Sequence, residues 1–336
     1  LNPLPQRGSW PARGRGQGSP AAPPRTHPCL ECVTCAPYIW TMADSFLSSL
    51  SRRVSGILPK TWRRDLPVVP VVRLSGAIGM QTTPLARSLS LAGTAQALDK
   101  AFAIKSAPAV ALLINSPGGS PVQSHLIFRR IRALAEEKEK HVFAFVEDAA
   151  ASGGYMIACA ADEIFADPCS IVGSIGVVTA GFGFDKAIEK LGVERRVFTA
   201  GERKVTLDPF RPTRPEDVER LDVLLKELHT VFVDLVRSRR GDALPADDET
   251  LFSGEFWLGT QAAGLGLVDG LGDVRSILKA RYGEDVRMPL VQGASSFLLR
   301  RPGGFGAALA GTLAAQAADG AMAAVEERAL WSRLGL

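Results

Sequence analysis

The feature that most constrains the fold is an alternation of short apolar runs with amphipathic segments along residues 66–292. Residues 110–115 (VALLIN) predict a buried strand, and residues 141–146 (HVFAFV) predict another. Between them, residues 122–138 have the period of an amphipathic helix. Because strands that alternate with helices pair mainly in parallel, the sequence predicts an α/β fold with a mainly parallel sheet.

Weaker patterns extend this alternation in both directions. Residues 215–240 predict a long helix, since acids occupy its first turn and arginines its last, which complements the helix dipole. Pro70 interrupts a predicted strand over residues 66–74. We predict further strands at 163–166, 174–179 and 193–199, and further helices at 95–103, 152–161 and 184–191.

Residues 1–41 differ in composition from everything that follows. They hold eight of the 22 prolines, four arginines, one acid and no apolar period, which predicts a disordered Pro/Arg-rich segment. Met42 opens a run typical of a protein start, so we interpret residues 1–41 as translated sequence upstream of that start. From Met42 onward the formal net charge falls from +4 to +1. We therefore expect no nucleic-acid partner, which would need a clustered basic face.

The cysteines give little support for a metal site. Cys29, Cys32 and Cys35 have CxxCxxC spacing, but only His27 lies near them as a fourth ligand, whereas zinc sites usually pair two such motifs. We therefore expect no metal and no cofactor. Cys159 and Cys169 lie among apolar or small residues and are typical of buried thiols in a reducing compartment, which favours the cytoplasm.

The two ends of the remaining chain predict helical extensions. Residues 42–65 form an amphipathic pattern with basic flanks, which fits either peripheral contact with an anionic inner membrane or packing on the protein itself. We find no apolar run long enough for a transmembrane helix and no signal peptide. Residues 293–336 form an Ala/Gly-rich helical tail that fits either docking on a neighbouring subunit or a frayed end.

Two glycine-containing motifs are candidates for a catalytic site. The run Asn115-Ser116-Pro117-Gly118-Gly119 follows the buried strand, where bare N–H groups can hold an oxyanion, although such a run taken alone is more often a plain turn. The run from Ala149 to Tyr155 (AAASGGY) places Ser152 between a strand and an apolar helix. Ser152 is therefore either a nucleophile or a helix N-cap.

A serine nucleophile needs a general base, and the sequence offers two kinds. None of the four histidines (His27, His125, His141, His229) lies in a glycine-rich loop, and His125 is the least poor candidate for a Ser-His-Asp triad. Lysine is the alternative, because a desolvated ammonium group loses its proton more easily. Lys204 lies at the end of a predicted strand beside Arg203, and Ser174, between Gly173 and Gly176, can orient a lysine amine.

In order and spacing, these motifs resemble the signal peptide peptidase A family of Ser-Lys serine peptidases, in its short single-core form. NSPGG, ASGGY, GSIGV and GxxK succeed one another; Lys204 lies 52 positions after Ser152, and Ser174 lies 22 positions after it. The similarity runs over about residues 66–285 and includes the segment 257–269 (WLGTQAAGLGLVD). The corresponding peptidase domain is expected at 66–292.

The resemblance implies a fold, a mechanism and a quaternary structure. The fold is the ClpP/crotonase type with repeated β-β-α units. Ser152 is implied as nucleophile, Lys204 as general base, Ser174 as the residue that holds the lysine, and the N–H groups of Gly119 and Gly153 as the oxyanion hole. We expect Gly118 and Tyr155 to contact substrate. Family members form homo-oligomers, often octamers, and cleave apolar peptides such as signal-peptide remnants.

Two departures and two alternatives bear on this expectation. The sequence shows no N-terminal membrane anchor and only one core, so a cytoplasmic or peripherally attached peptidase is the expected form. A crotonase relative acting on acyl-CoA leaves the Ser152 and Lys204 pairing unexplained. A binding or scaffold protein of the same fold predicts that Ser152 is only a helix cap.

Overall fold

A mainly parallel sheet organises the part of the chain that the structure, a computed structural model, describes. The described residues are 66–79, 89–201, 203–244, 248–293, 325 and 328–336. The chain divides into two units, 1–63 and 64–336, and every described residue belongs to the second. The predicted disordered segment 1–41, the predicted helix 42–65 and most of the tail 293–336 lie outside the described residues.

Five parallel strands form the main path of the sheet, in the order β1-β2-β3-β4-β7. Strand β5 pairs in parallel with β3, and β6 pairs antiparallel with β5, giving seven strands among the described residues. The α/β class with a mainly parallel sheet is therefore confirmed. The strands are β1 Val71–Ser75, β2 Ala109–Ser116, β3 His141–Ala151, β4 Glu163–Ala166, β5 Ile171–Gly173, β6 Phe256–Leu258 and β7 Gly270–Leu271.

Helices connect these strands, and their bounds follow the apolar periods of the sequence. The long helix begins at Pro215 and ends at Arg240, as predicted, with acids in its first turn and arginines in its last. The helices are α1 Leu91–Phe102, α2 Pro121–Lys138, α3 Gly153–Ala158, α4 Asp185–Lys190, α5 Pro215–Arg240, α6 Asp248–Leu251, α7 Gly259–Gly264 and α8 Val274–Tyr282; Gly241–Ala243 is a 3-10 turn.

Strand β3 positions the candidate site because it is longer than the sequence predicts. Its first part pairs with β4, from Phe143 to Val146, and its last three residues pair with β5. The sheet thus forks at the carboxyl end of β3, and Ser152 follows immediately. Neighbouring β2 ends at Ser116, so the two glycine motifs lie at the carboxyl ends of adjacent parallel strands, where sites in such sheets form.

Two apolar clusters stabilise this frame. The larger one contains buried strand residues such as Leu112 and Ile114 and helix residues such as Ile127 and Ile131. The second contains Phe143, Phe145 and Leu278, with Phe165 stacked at 5.7 Å from Phe145. Each such buried side chain contributes about 1.5–3 kcal/mol before entropy is counted.

Two predicted strands are absent from this structure. Residues 174–179 and 193–199 have no strand partner among the described residues, and the strand of the GSIGV motif is instead Ile171–Gly173. A strand needs a neighbour to pair its backbone groups, and here Val178 is 67% exposed and Phe198 is 93% exposed. The apolar alternation of these two segments predicts buried strands, and within one chain this prediction is wrong.

Candidate active site

Ser152 occupies a strained turn between β3 and α3. Its backbone has φ 51° and ψ −119°, in a region that residues with a side chain rarely adopt and that costs about 1–3 kcal/mol. Its N–H donates to the carbonyl of Gly173 at 2.8 Å, which ties the turn to β5. Its side chain makes no capping hydrogen bond. The alternative in which Ser152 is merely a helix cap is therefore wrong.

The NSPGG turn is fixed to β3 by two side chains. Asn115 donates from Nδ2 to Asp148 Oδ2 at 2.6 Å and accepts the N–H of Ala149 at 3.3 Å. Ser116 donates from Oγ to the carbonyl of Gly76 at 2.7 Å and accepts the N–H of Gly118 at 3.3 Å. These bonds hold the glycines against the turn that carries Ser152.

The two glycines of this turn admit no side chain. A β-carbon on Gly118 would approach Ser152 Cβ to 2.8 Å, and one on Gly119 would fall on the carbonyl oxygen of Ile78. Both residues also have positive φ, 100° and 141°. Gly118 is buried, and its N–H and carbonyl are bonded to Ser116 and Ile78. Its predicted contact with substrate is therefore corrected: Gly118 supports Ser152 from behind.

The N–H groups of Gly119 and Gly153 lack hydrogen-bond partners among the described residues. Gly119 lies opposite Ile78 in an isolated β-bridge. The N–H of Ile78 donates to the carbonyl of Gly118, and the carbonyl of Ile78 accepts the N–H of Ser120. The N–H of Gly119 therefore points away from Ile78. Gly153 is the first residue of α3, where an N–H has no partner within the helix. Both glycines line one cavity with Ser152. Free donors beside a serine are what an oxyanion hole requires.

This cavity has a volume of about 1080 Å³ and is lined by both polar and apolar residues. Ser152, Ser174, Gly119 and Gly153 line it together. Further lining residues come from distant parts of the chain. They include the apolar residues Met156, Val178, Phe232, Phe252 and Phe256, and the charged or titratable residues Asp222, Lys226, His229 and Arg333.

Ser174 lies in a second strained turn at this cavity. Its φ is 52°, its N–H donates to the carbonyl of Glu255 at 2.6 Å, and its carbonyl accepts the N–H of Gly176 at 2.9 Å. The backbone of Ser174 is thus held from both sides. Its side chain has no hydrogen-bond partner among the described residues, so its hydroxyl is available to another group.

Lys204 does not line the Ser152 cavity. It lies in the irregular segment after α4, its side chain is exposed, and its backbone N–H donates to the carbonyl of Gly201 at 3.2 Å. The structure therefore brings Ser152, Ser174, Gly119 and Gly153 together and leaves the predicted base apart from them within one chain.

Tyr155 is a core residue, and the assignment of substrate contact to it is wrong. It is fully buried and donates its hydroxyl hydrogen to the carbonyl of Leu267 at 2.8 Å. Burial raises the pKa of this phenol well above its ordinary value. Burial likewise raises the pKa of the neighbouring Cys159 thiol to about 12. Cys159 is buried as predicted, but Cys169 is exposed, against expectation.

The long helix α5 supplies site residues that the sequence analysis did not assign. Asp222, Lys226 and His229 recur at helical spacing and all line the cavity. Lys226 Nζ binds Asp222 Oδ2 at 2.6 Å, and His229 Nε2 lies 3.2 Å from the carbonyl oxygen of Ile175. Their spacing on one helix face was the available signal. His125, the triad candidate, does not line the cavity and stacks on Phe128.

The described residues contain neither a candidate metal site nor a helix that could span a membrane. Within them, no group of three or more His, Cys, Asp or Glu side chains is placed to hold a metal ion. None of the helices in this part of the chain is both long and apolar enough to cross a bilayer. Cys29, Cys32 and Cys35 lie outside the described residues.

Comparison with known sequences now gives the family. The pattern of peptidase family S49 matches residues 135–285, a range that holds Ser152, Ser174 and Lys204. The Serine protease SPPA, chloroplastic, of Arabidopsis thaliana is 32% identical over 75% of this chain and 37% of its own length. Residues 135–285 are a peptidase family S49 region. The S49 fold is the ClpP/crotonase type, which confirms the expected fold family.

Other relatives that match the chain are not named as SPPA proteases. The putative protease MJ0651 of Methanocaldococcus jannaschii is 37% identical over 51% of the chain and 54% of its own length. A Brucella abortus protein named Na(+)/H(+) antiporter NhaA is 55% identical over 86% of the chain, but this match covers only 40% of its length. The chain thus spans about two fifths of the first relatives that it matches, and no ion-transport activity follows for the S49 region.

Proposed function

We propose that this chain is a serine endopeptidase that cleaves apolar peptides, such as signal-peptide remnants and other membrane-derived or cytoplasmic peptides, through an acyl-enzyme. One observation carries the proposal: Ser152 sits in a strained turn without a side-chain cap, and it shares a cavity with the N–H groups of Gly119 and Gly153, which have no partner in the described part of the chain. Such an arrangement supplies a nucleophile and donors for the negative charge that develops on the attacked carbonyl oxygen.

The proposed reaction has two halves. Ser152 Oγ attacks the peptide carbonyl carbon while its proton passes to a neutral Lys204 amine. The carbonyl oxygen becomes negatively charged and accepts hydrogen bonds from the N–H groups of Gly119 and Gly153. The C–N bond then breaks, and the lysine ammonium returns the proton to the leaving amine. Water, deprotonated by the same amine, hydrolyses the ester and frees Ser152. The Ser174 hydroxyl orients the lysine.

Assembly of this Ser-Lys dyad calls for more than one copy of the chain. Lys204 is exposed and does not line the cavity of its own chain. Several apolar side chains in the same irregular region are more than half exposed, which is typical of a surface that a partner covers. They are Val178 at 67%, Phe182 at 81%, Leu191 at 76%, Val193 at 55% and Phe198 at 93%. We propose a homo-oligomer, octameric as in the resembling family, in which Lys204 of one copy serves Ser152 of another.

The preference for apolar peptides follows from the walls of the cavity. Met156, Phe232, Phe252 and Phe256 line the same cavity as Ser152. A peptide with apolar side chains gains free energy by covering these surfaces, and its binding excludes water from the amine that must lose a proton.

The decisive experiment measures hydrolysis of a fluorogenic apolar peptide panel by the full chain and by its Ser152→Ala and Lys204→Ala variants. Both variants are expected to lose activity, while Lys186→Ala, on the exposed helix α4, serves as a lysine control that keeps it. Retention of activity in Lys204→Ala would overturn the dyad but not the serine. Retention in Ser152→Ala would overturn the peptidase proposal itself.

Mixing the two inactive variants tests whether the dyad spans two copies. After dissociation and reassembly, some sites pair an intact Ser152 with an intact Lys204 from another chain, so partial activity is expected to return. Size-exclusion chromatography with light scattering checks that the oligomer has re-formed. Full re-formation without any activity would contradict a dyad shared between copies.

Membrane contact through residues 42–65 remains a separate proposal, together with a cytoplasmic location. The basic flanks of this segment favour an anionic surface. Flotation with anionic liposomes is expected to carry the full chain and not a chain that lacks residues 42–65. Equal behaviour of the two would contradict the proposal.

A further inference from the structure

The last residues of the described chain reach the candidate active site. Residues 328–332 are helical, and Leu334 is 8% exposed in a cluster with Ala149, Ala151 and Ile171. Ala151 immediately precedes Ser152. Trp331 packs against the same cluster. The C-terminal turn is therefore anchored beside the nucleophile, and Arg333 and Leu330 join Leu334 in lining the cavity.

Arg333 differs from the other charged side chains of this cavity. Asp222 and Lys226 neutralise each other at 2.6 Å, and His229 is engaged with the carbonyl of Ile175. Arg333 has no hydrogen-bond or ion-pair partner among the residues that the structure describes. An arginine in this position presents a planar set of donors that matches a carboxylate.

The volume of the cavity gives the scale of the separation between such a carboxylate and the scissile bond. A sphere with the volume of this cavity, about 1080 Å³, would have a diameter of about 13 Å. An extended peptide advances about 3.3 Å per residue, so the cavity holds about four residues. A carboxylate held by Arg333 would thus lie within a few residues of the bond that Ser152 attacks.

We propose that Arg333 binds the terminal carboxylate of the peptide substrate and directs cleavage to a bond within about four residues of that end. This inference rests on the proposed peptidase function, and it adds a substrate class: peptides with a free C-terminus, such as the fragments that an earlier endoproteolytic cleavage leaves. Arg333 is a specificity residue and takes no part in the proton transfers.

Three octapeptides test the proposal: one apolar peptide with a free C-terminus, the same peptide as its carboxamide, and the carboxamide with glutamate as last residue. We expect kcat/KM for the free acid to exceed that for the carboxamide about tenfold, as one charge-assisted hydrogen-bonded pair supplies. Mass spectrometry of the products should place the cut within about four residues of the end. If the glutamate peptide matches the free acid, Arg333 reads any carboxylate near the cut, and the terminal assignment is overturned.

Variants of Arg333 test whether this residue causes the preference for a free C-terminus over a carboxamide. Arg333→Gln is expected to lower the ratio of free acid to carboxamide to about one, and Arg333→Lys to restore part of it. Arg328→Gln changes an exposed arginine on the helix that precedes Arg333; it does not line the cavity, so this variant should keep the original ratio. Equal cleavage of acid and carboxamide by the unmodified chain, or an equal loss on both peptides in Arg333→Gln, would overturn the proposal.

A binding measurement separates failure of this proposal from failure of the proposed function. Labelled free-acid and carboxamide peptides are titrated against the full chain carrying Ser152→Ala, with and without Arg333→Gln, and fluorescence anisotropy is recorded. Tighter binding of the free acid by about tenfold, lost on Arg333→Gln, supports carboxylate recognition even if no peptide is hydrolysed. Equal affinities for the two peptides would overturn it whatever the activity.

Discussion

Gly118 lies directly behind Ser152, so that a β-carbon at position 118 would come within 2.8 Å of the Ser152 β-carbon. The same added atom would lie 2.9 Å from the carbonyl oxygen of Ala151. The nucleophile turn and the NSPGG turn are therefore packed closely against each other. This contact explains why two glycine-containing motifs, distant in sequence, act as one structure.

Gly118→Ala is expected to impair both activity and stability. The new methyl group clashes with Ser152, and φ of 100° is strained for alanine, at a cost of about 1–3 kcal/mol. Displacement of the nucleophile by about 1 Å lowers the rate about a hundredfold. Peptide hydrolysis and urea unfolding measure the two effects. The control is Gly181→Ala, where a β-carbon meets open space; an active, stable Gly118→Ala protein would contradict the packing described.

Gly153→Ala should be rescued by a second substitution. A β-carbon on Gly153 would fall on Ser124 Oγ, and this overpacking costs about 1–3 kcal/mol and shifts an oxyanion donor. Removing that hydroxyl in the Gly153→Ala/Ser124→Ala protein makes room, so we expect part of the stability and activity to return. Thermal unfolding and hydrolysis by the two single variants and the double variant form the test, and additive losses would show that the two residues do not interact.

Ser152→Ala should change activity without changing stability. Since the Ser152 side chain caps no helix, its removal is expected to alter the free energy of unfolding by less than about 0.5 kcal/mol, whereas loss of a true cap costs about 0.5–2 kcal/mol. Ser152→Gly should be about 1 kcal/mol more stable than Ser152→Ala, because glycine adopts positive φ without steric cost. Urea denaturation compares all three proteins, and a large loss in Ser152→Ala would restore the cap interpretation.

The environment of Asp162 predicts that the free energy of unfolding decreases at acidic pH. Burial opposes its ionisation, but the N–H of Val142 at 2.9 Å and the guanidinium groups of Arg132 and Arg239 lower the pKa of this carboxyl below its ordinary value. Because the folded-state pKa is depressed, the ionised form stabilises the fold above the unfolded pKa, near 3.9, and this stabilisation is lost as pH falls through the folded value.

Asp162→Asn is therefore expected to cost about 2 kcal/mol of unfolding free energy at pH 7. Denaturant unfolding between pH 7 and pH 3 should show the difference from the unmodified chain shrinking below about pH 4. Asp234→Asn, an exposed carboxylate on the long helix, is the control and should show little change at any pH. A difference that grows as the pH falls would contradict the sign of the pKa shift.

The two described cysteines should differ in reactivity. Burial raises the pKa of Cys159 to about 12, so at pH 8 only about one thiol in ten thousand is ionised, and the side chain is also inaccessible. Cys169 is exposed. Iodoacetamide labelling followed by peptide mapping is expected to modify Cys169 in the folded protein and Cys159 only in urea. Labelling of Cys159 in the folded protein would show that α3 opens.

The sequence alone determined the α/β class and most helices and strands, because buried parallel strands have a distinctive apolar run. The grouping of Ser152 with Gly119 and Gly153 came from the resemblance of the motifs to a known family. Only the tertiary structure decided that Tyr155 is buried, that Lys204 lies outside the cavity of its own chain, and that Arg333 lines the same cavity as Ser152. These outcomes depend on how distant segments pack across the sheet, and a local period does not encode which distant surface will cover it.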